Sequence, residues 1–233
     1  MSRIARIARG TGALAALLFL GGPLANQTGA VAPLSGFYAF MLGGLLGVLA
    51  LLLGAIGLLR TRASSGRAGR GHAWTGFGIG AAILAVVVVT AGPTSGVPPI
   101  HDITTDVEDP PLFTTAPEGR PELPPEGNAA LQREAYPDLA PIQVESPPAE
   151  TVARVAGIFR SFGWEVTRED AAAGVVEGNE TSRIFRFVDD VVVRVKPAGG
   201  GSRVDIRSRS RVGQSDLGAN AARIRRIREA LTG

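Results

Sequence analysis

Near the carboxy terminus of this 233-residue chain, Arg203, Asp205, Arg207, Arg209 and Arg211 occupy alternate positions. Val204, Ile206, Ser208, Ser210 and Val212 stand between them. Successive side chains of a strand point to opposite faces, so this parity puts four guanidiniums and one carboxylate on one face. Forked guanidinium donors can grip carboxylates, phosphates or acidic headgroups. Arg194, one strand earlier, can join them. A second polar group flanks the set: Asp189 and Asp190 before it, then Ser215, Asp216 and Asn220 at the expected start of the last helix. Backbone amides at a helix start bind anions. Arg211, the Gly213 bend and the amides after Ser215 could therefore form an anion pocket, with close helix–sheet packing at Gly218 as the competing account. The candidate binding residues are Asp189, Asp190, Arg194, Arg207, Arg209, Arg211, Ser215, Asp216 and Asn220.

Other chemistry finds less support. Paired acids in a cleft can do acid–base work when their pKa values are driven apart. Asp189, Asp190, Asp216 or His101 thus give an alternative reading as an envelope hydrolase. The chain has no cysteine, which removes thiolate nucleophiles, thiolate zinc sites and disulfides. It has no GxSxG elbow, and no catalytic residue is assigned. His101, Asp102, Asp106, Glu108 and Asp109 cluster without the spacing of a metal loop, and turn and capping roles suit Asp102 and Asp106 better. No metal or other cofactor is expected. A binding module is preferred to an enzyme.

The arginine face also has a partner inside the chain. Residues 98–180 hold 16 acids against five arginines, and residues 181–233 hold 12 basic residues against five acids. Internal pairing of an acidic strap with a basic sheet competes with an external anionic ligand.

The elements that would position these residues can be read in order. Ser146 followed by two prolines predicts a helix start. Val152, Val155, Ile158, Phe159 and Phe162 recur at helical spacing. Trp164 to Arg168 alternates as a strand, and Gly174 to Val188 reads as a second. Asp189-Asp190 is expected to make a tight reversal, since carboxylates bond their own backbone in turns. Val191 to Lys196 forms the third strand, Pro197 to Gly201 a turn, and Arg203 to Val212 the fourth. The last helix is expected to begin at Ser215 or Asp216. The fold class is α+β. Residues 149–233 are expected to form an α-β-β-β-β-α domain, a four-stranded antiparallel sheet covered by two helices. Residues 98–148, dense in proline and acid, read as a strap that touches down through Ile100, Ile103, Leu112, Phe113, Tyr136, Leu139 and Ile142.

Residues 1–97 differ in kind. No acid precedes Asp102, and the only charges are Arg3, Arg6, Arg9, Arg60, Arg62, Arg67 and Arg70. Three apolar spans are expected, at about 11–25, 37–59 and 75–97, the last two long enough for a hydrocarbon core of ~30 Å. The first could be a cleavable signal peptide, but its cleavage region is poor and a retained helix is preferred. The basic amino terminus and the basic 60–72 loop belong in the cytoplasm. That sets the protein in the inner membrane, multi-pass, with residues after 97 in the periplasm. The spans carry no ionisable group at mid-membrane, which disfavours ion or proton transport. Gly43/Gly47 and Gly76/Gly80 have a spacing that permits self-association. The partners expected are the lipid bilayer and an anionic ligand or envelope protein. The high pI records span-flanking arginines and does not point to nucleic acid.

HDITTDVEDPPLF, AYPDLAP, FVDDVVVRV and SRSRVGQSDLGANAARI occur in that order between Ile100 and Leu231. Together they resemble the bacterial and plastid family catalogued as domain of unknown function 1499. The resemblance implies a membrane-linked extracytoplasmic domain and no particular activity. Its motif positions include His101, Asp102, Tyr136, Asp138, Gly213, Gly218 and Arg223 besides most of the candidates above.

Overall fold

Long apolar runs satisfy their backbone inside a bilayer by forming helices, and three runs between residues 3 and 91 are helical. The computed structural model describes residues 2–91, 97–115 and 124–233. The end of the expected third span, 92–96, and residues 116–123 of the expected strap lie outside the described residues. The chain divides into two units, Met1–Thr94 with Arg183–Arg186, and Ser95–Ser182 with Phe187–Gly233.

In the first unit α1 spans Arg3–Gln27, α2 Pro33–Arg60 and α3 Arg70–Ala91. All three are long and apolar enough to cross a membrane, and they support a multi-pass topology. Ser2 caps α1 by accepting the Ala5 amide, and proline sits at the first position of α2, where its missing N–H costs nothing. Small residues let the helices close. A β-carbon on Gly43 would run into the α1 backbone at Phe19, and one on Gly76 into Ala8. One on Gly80 would meet α2 at Gly47 and Leu51. Both glycine pairs are thus spent on packing within this chain. Leu20, Leu24, Tyr38, Leu45 and Leu52 face outward, as a lipid-facing belt requires.

The second unit corrects the expected domain. Among the described residues its sheet has six strands rather than four, and three helices accompany it rather than two. The meander was anticipated: β3 (Glu165–Asp170), β4 (Val175–Thr181), β5 (Val188–Ala198) and β6 (Gly201–Ser210) pair antiparallel in sequence. The rest comes from the proline-rich stretch, which supplies β1 (Asp102–Thr104), α4 (Asn128–Ala135) and β2 (Ile142–Val144). β1 and β2 both pair with β6, at residues 207–209 and 202–204. An open β6 edge would leave a row of unpaired backbone groups. The two short strands cover it end to end, and both avoid the prolines that flank them.

One sheet face carries α5 (Pro148–Ser161) and α6 (Ala219–Thr232). Val152, Val155 and Phe159 of α5 and Ile224, Ile227 and Leu231 of α6 pack on Val191, Val193, Val195, Val204 and Ile206. Ile100, Ile103, Tyr136, Leu139 and Ile142 complete the same core. Leu112 is 48% exposed and takes no part in it.

Two expected boundaries move for stated reasons. The β4–β5 reversal falls at residues 182–187, not at Asp189-Asp190. The Ser182 amide donates to the Phe187 carbonyl, the Phe187 amide donates to the Ser182 hydroxyl, and Arg186 adopts φ 55°. Asp189 and Asp190 remain in β5 because arginines elsewhere in the chain neutralise them. The last helix begins at Ala219, after Gly218 at φ 85°. Asp216 serves it by accepting the Gly218 and Asn220 amides at 2.9 and 2.7 Å. Ser146 likewise lies before its helix and bonds Thr151.

Candidate functional site: the charged sheet and its strap

The parity read from β6 holds in three dimensions. Ser208 meets α6 through Asn220, while Arg203, Asp205, Arg207 and Arg209 take the opposite face. The register supplies what sequence alone leaves open: Arg194 stands beside Asp205 and Lys196 beside Arg203. Both join the arginine face.

That face is covered by residues 106–115 of the same chain. Arg207 and Asp102 are each fully buried and form a two-pronged pair, Nε to Oδ1 and Nη2 to Oδ2 both 2.9 Å. The Arg207 Nη1 also donates to the Pro111 carbonyl at 3.1 Å. Arg209 lies 4.0 Å from the same carboxylate, and both guanidiniums sit over the Phe113 ring. Asp205, buried, accepts from Arg194 and Arg203. Asp106 accepts from Arg203 at 2.6 Å, and Asp109 pairs with Arg194 and Lys196 at 3.1 and 3.2 Å. Lys196 first, then Arg194, hold the Asp109 carboxyl below its ordinary range. Thr114 and Thr115 of the strap are held to β4, where buried Glu177 accepts both amides at 2.9 Å each and both hydroxyls. Asp106 does serve a turn, accepting the Glu108 and Asp109 amides. Asp102 does not, since its carboxylate is spent on Arg207.

A second network lies between the sheet and α6. Arg223 donates to Asp189 at 2.6 Å, to Glu180 at 2.7 Å and to Ser208 at 3.0 Å. Asn220, fully buried, accepts from Ser208 and donates to Ser210 and to the His101 carbonyl. At the sheet margin Asp190 accepts from Arg211 through Nε and Nη2. Ser215 accepts the Leu217 amide. On the outer side of α6, Arg225 forks onto Asp138 and depresses its carboxyl pKa. Burial, the main cause, raises the Tyr136 phenol.

The candidates thus fall into separate groups. Arg194, Arg207 and Arg209 lie under the strap. Asp189 and Asn220 lie beneath α6. Asp190 with Arg211, and Ser215 with Asp216, lie at the margin. Sequence reasoning gave Arg223 only as a motif position of the family and left it out of the candidate binding residues. Its spacing of three from Asn220 was the available signal. It set Asp205 on the arginine face without counting it a candidate, and it missed Glu177, for which strand parity was the signal. Among the described residues no group of three or more His, Asp or Glu is placed to hold a metal ion.

These features define a class: helices long and apolar enough to cross a membrane, joined to an α+β domain whose sheet is ion-paired on both faces. Residues 102–231 match the family described as "Protein of unknown function (DUF1499)". The match takes in more than half of the chain, and the chain belongs to that family. A comparison with curated proteins gives no match.

Proposed function

We propose that this is an inner-membrane protein with its amino terminus in the cytoplasm and its carboxy-terminal domain in the periplasm. That domain acts as a binding or scaffold module for an anionic envelope component, and it is not an enzyme. The observation that carries the reading is how the charges are spent. Asp102, Asp189, Asp190 and Asp205 each bind an arginine within the domain, and Asp216 caps a helix. Groups so committed rigidify a fold; general acids and bases need a proton they can exchange. Arg211 supplies the anionic contact. Asp190 holds its guanidinium from one side, the side chain is 30% exposed, and the exposed Gly213-Gln214 turn follows it. The arginines flanking α1 and α2 support the orientation.

Two measurements test this. A reporter active only in the periplasm, fused after Gly233, is expected to be active; activity only of a cytoplasmic reporter refutes the orientation. The full chain in detergent is expected to gain thermal stability with inorganic phosphate or phosphatidylglycerol, and Arg211→Ala to lose that gain. Equal gains in both proteins would remove Arg211 from the role.

A further inference from the structure

Arg183, Ile184, Phe185 and Arg186 follow β4 in sequence yet cluster with the helical unit. The Phe185 ring stands edge-on to Phe37 and Phe40 of α2, with centroids 5.2 and 5.3 Å away. Gln27, the last residue of α1, donates to the Arg183 carbonyl and to the Ile184 carbonyl at 2.9 Å. These contacts fix the depth of the four residues. Phe40 lies seven residues into α2, about 10 Å along its axis at 1.5 Å per residue. The tetrapeptide therefore sits at the end of the apolar belt, where headgroups meet acyl chains. Leu24 and Tyr38, both exposed, lie at the same end.

Its side chains match that boundary. Ile184 is 59% exposed although it is a large aliphatic residue. Arg183 and Arg186, both exposed, flank Ile184 and Phe185, and no acid lies among the four. The nearest acids in sequence, Glu180 and Asp189, are both bound to Arg223. An apolar side chain between two cations fits a leaflet of anionic lipid: the aliphatic group enters the acyl region and the guanidiniums fork onto phosphates.

We propose that Arg183–Arg186 is a lipid-contacting tip that inserts Ile184 and binds anionic phospholipid headgroups through Arg183 and Arg186. The proposal rests on the multi-pass reading but not on its orientation. The absence of cysteine makes single labelling sites simple to introduce. A spin label at Ile184→Cys is compared with labels at Leu45→Cys on α2 and Ala172→Cys in the β3–β4 turn. All are made in the full chain, in vesicles containing phosphatidylglycerol. The label at 184 is expected to be open to oxygen and shielded from a water-soluble nickel chelate, as at 45 and unlike 172. The double change Arg183→Gln, Arg186→Gln is expected to lower the ratio of lipid-exposed to water-exposed label by about thirtyfold, five- to sixfold for each arginine. A label at 184 open to nickel overturns the proposal, and so does one closed to both reagents, which would mean burial in protein. If 45 still reports lipid in either case, the multi-pass reading stands and only the tip fails. Shielding unchanged by the double change, or equal in phosphatidylcholine, overturns the anionic-headgroup assignment.

Discussion

Replacing Asp102 by Asn tests how the strap is fastened. Asp102 and Arg207 are both fully buried and meet through two bonds of 2.9 Å. An exposed pair is worth ~0–1 kcal/mol, but breaking a buried pair by removing one partner costs ~3–5 kcal/mol. The two partners are not equivalent. Asp102 faces Arg207 at 2.9 Å and Arg209 at 4.0 Å, so Asp102→Asn removes the carboxylate that serves two guanidiniums. Arg207→Met leaves Asp102 with Arg209 still facing it. The expected order of loss is therefore Asp102→Asn, then Arg207→Met, with the double variant recovering part of the sum. A cycle of the two substitutions, followed by denaturant unfolding on Trp164 emission in a Trp74→Phe background, reads it directly. Trp164 lies in the domain core. The larger single loss corresponds to a fall in Tm on the order of 10 °C. Losses below about 1 kcal/mol for both single variants, the range of a solvated pair, would refute the claim that this pair is buried and fastens the strap.

Three further outcomes follow from the same geometry. Glu177→Ala removes the acceptor of the Thr114 and Thr115 amides; those amides should lose ~1.5–3 kcal/mol of hydrogen-exchange protection per bond, and unchanged protection would contradict the clamp. Asn220→Ala leaves the buried Ser208 and the half-buried Ser210 and His101 groups short of a partner; it should cost about 2–3 kcal/mol, against a few tenths for a change at exposed Glu229, as measured by urea unfolding. The pH dependence has a definite sign. Lys196 lowers the Asp109 carboxyl and Arg225 the Asp138 carboxyl, so these contacts stabilise the fold above the unfolded carboxylate value of ~3.9 and are lost as pH falls through the lowered folded values. NMR titration of both carboxyls should show midpoints below that of a free aspartate, and midpoints at or above it would contradict the pairing.

How much of this was legible in the sequence depended on the distance between partners. Parity along β6 needed only neighbouring residues, and it placed Arg203 to Arg209 on one face correctly. Asp189 and Asp190 were misread as a reversal because aspartate is a good turn residue. What keeps them in a strand is Arg223 and Arg211, 34 and 21 residues further on. The proline-rich stretch concealed β1 and β2 because each has only three residues, too few to show a period. Their apolar anchors, Ile103 and Ile142, were visible, but the β6 edge that they cover exists only once the sheet has formed. Charge balance did better than local pattern. The acid-rich 98–180 and base-rich 181–233 segments announced a partnership that the Asp102, Asp106 and Asp109 pairs make concrete.

The pairs also bear on what family membership can tell. The motif residues Asp102, Asp106, Asp189, Arg194, Asn220 and Arg223 do one kind of work in this chain. They fasten the strap to one sheet face and α6 to the other. A sequence pattern built from such residues specifies a fold, since losing any one partner strands a buried charge or polar group. Beyond the part-exposed Arg211, contacts to a ligand are expected where the pattern is silent and the surface is open. Arg183 to Arg186 meets both conditions: it falls between the β4 and β5 positions that the pairs lock, and Arg183, Ile184 and Arg186 are exposed. Exchanging that tetrapeptide for Gly-Ser-Gly-Ser should therefore leave the Trp164 unfolding midpoint of the domain nearly unchanged while abolishing lipid shielding at the tip. A large loss of domain stability would instead make the tip part of the fold's own fastening.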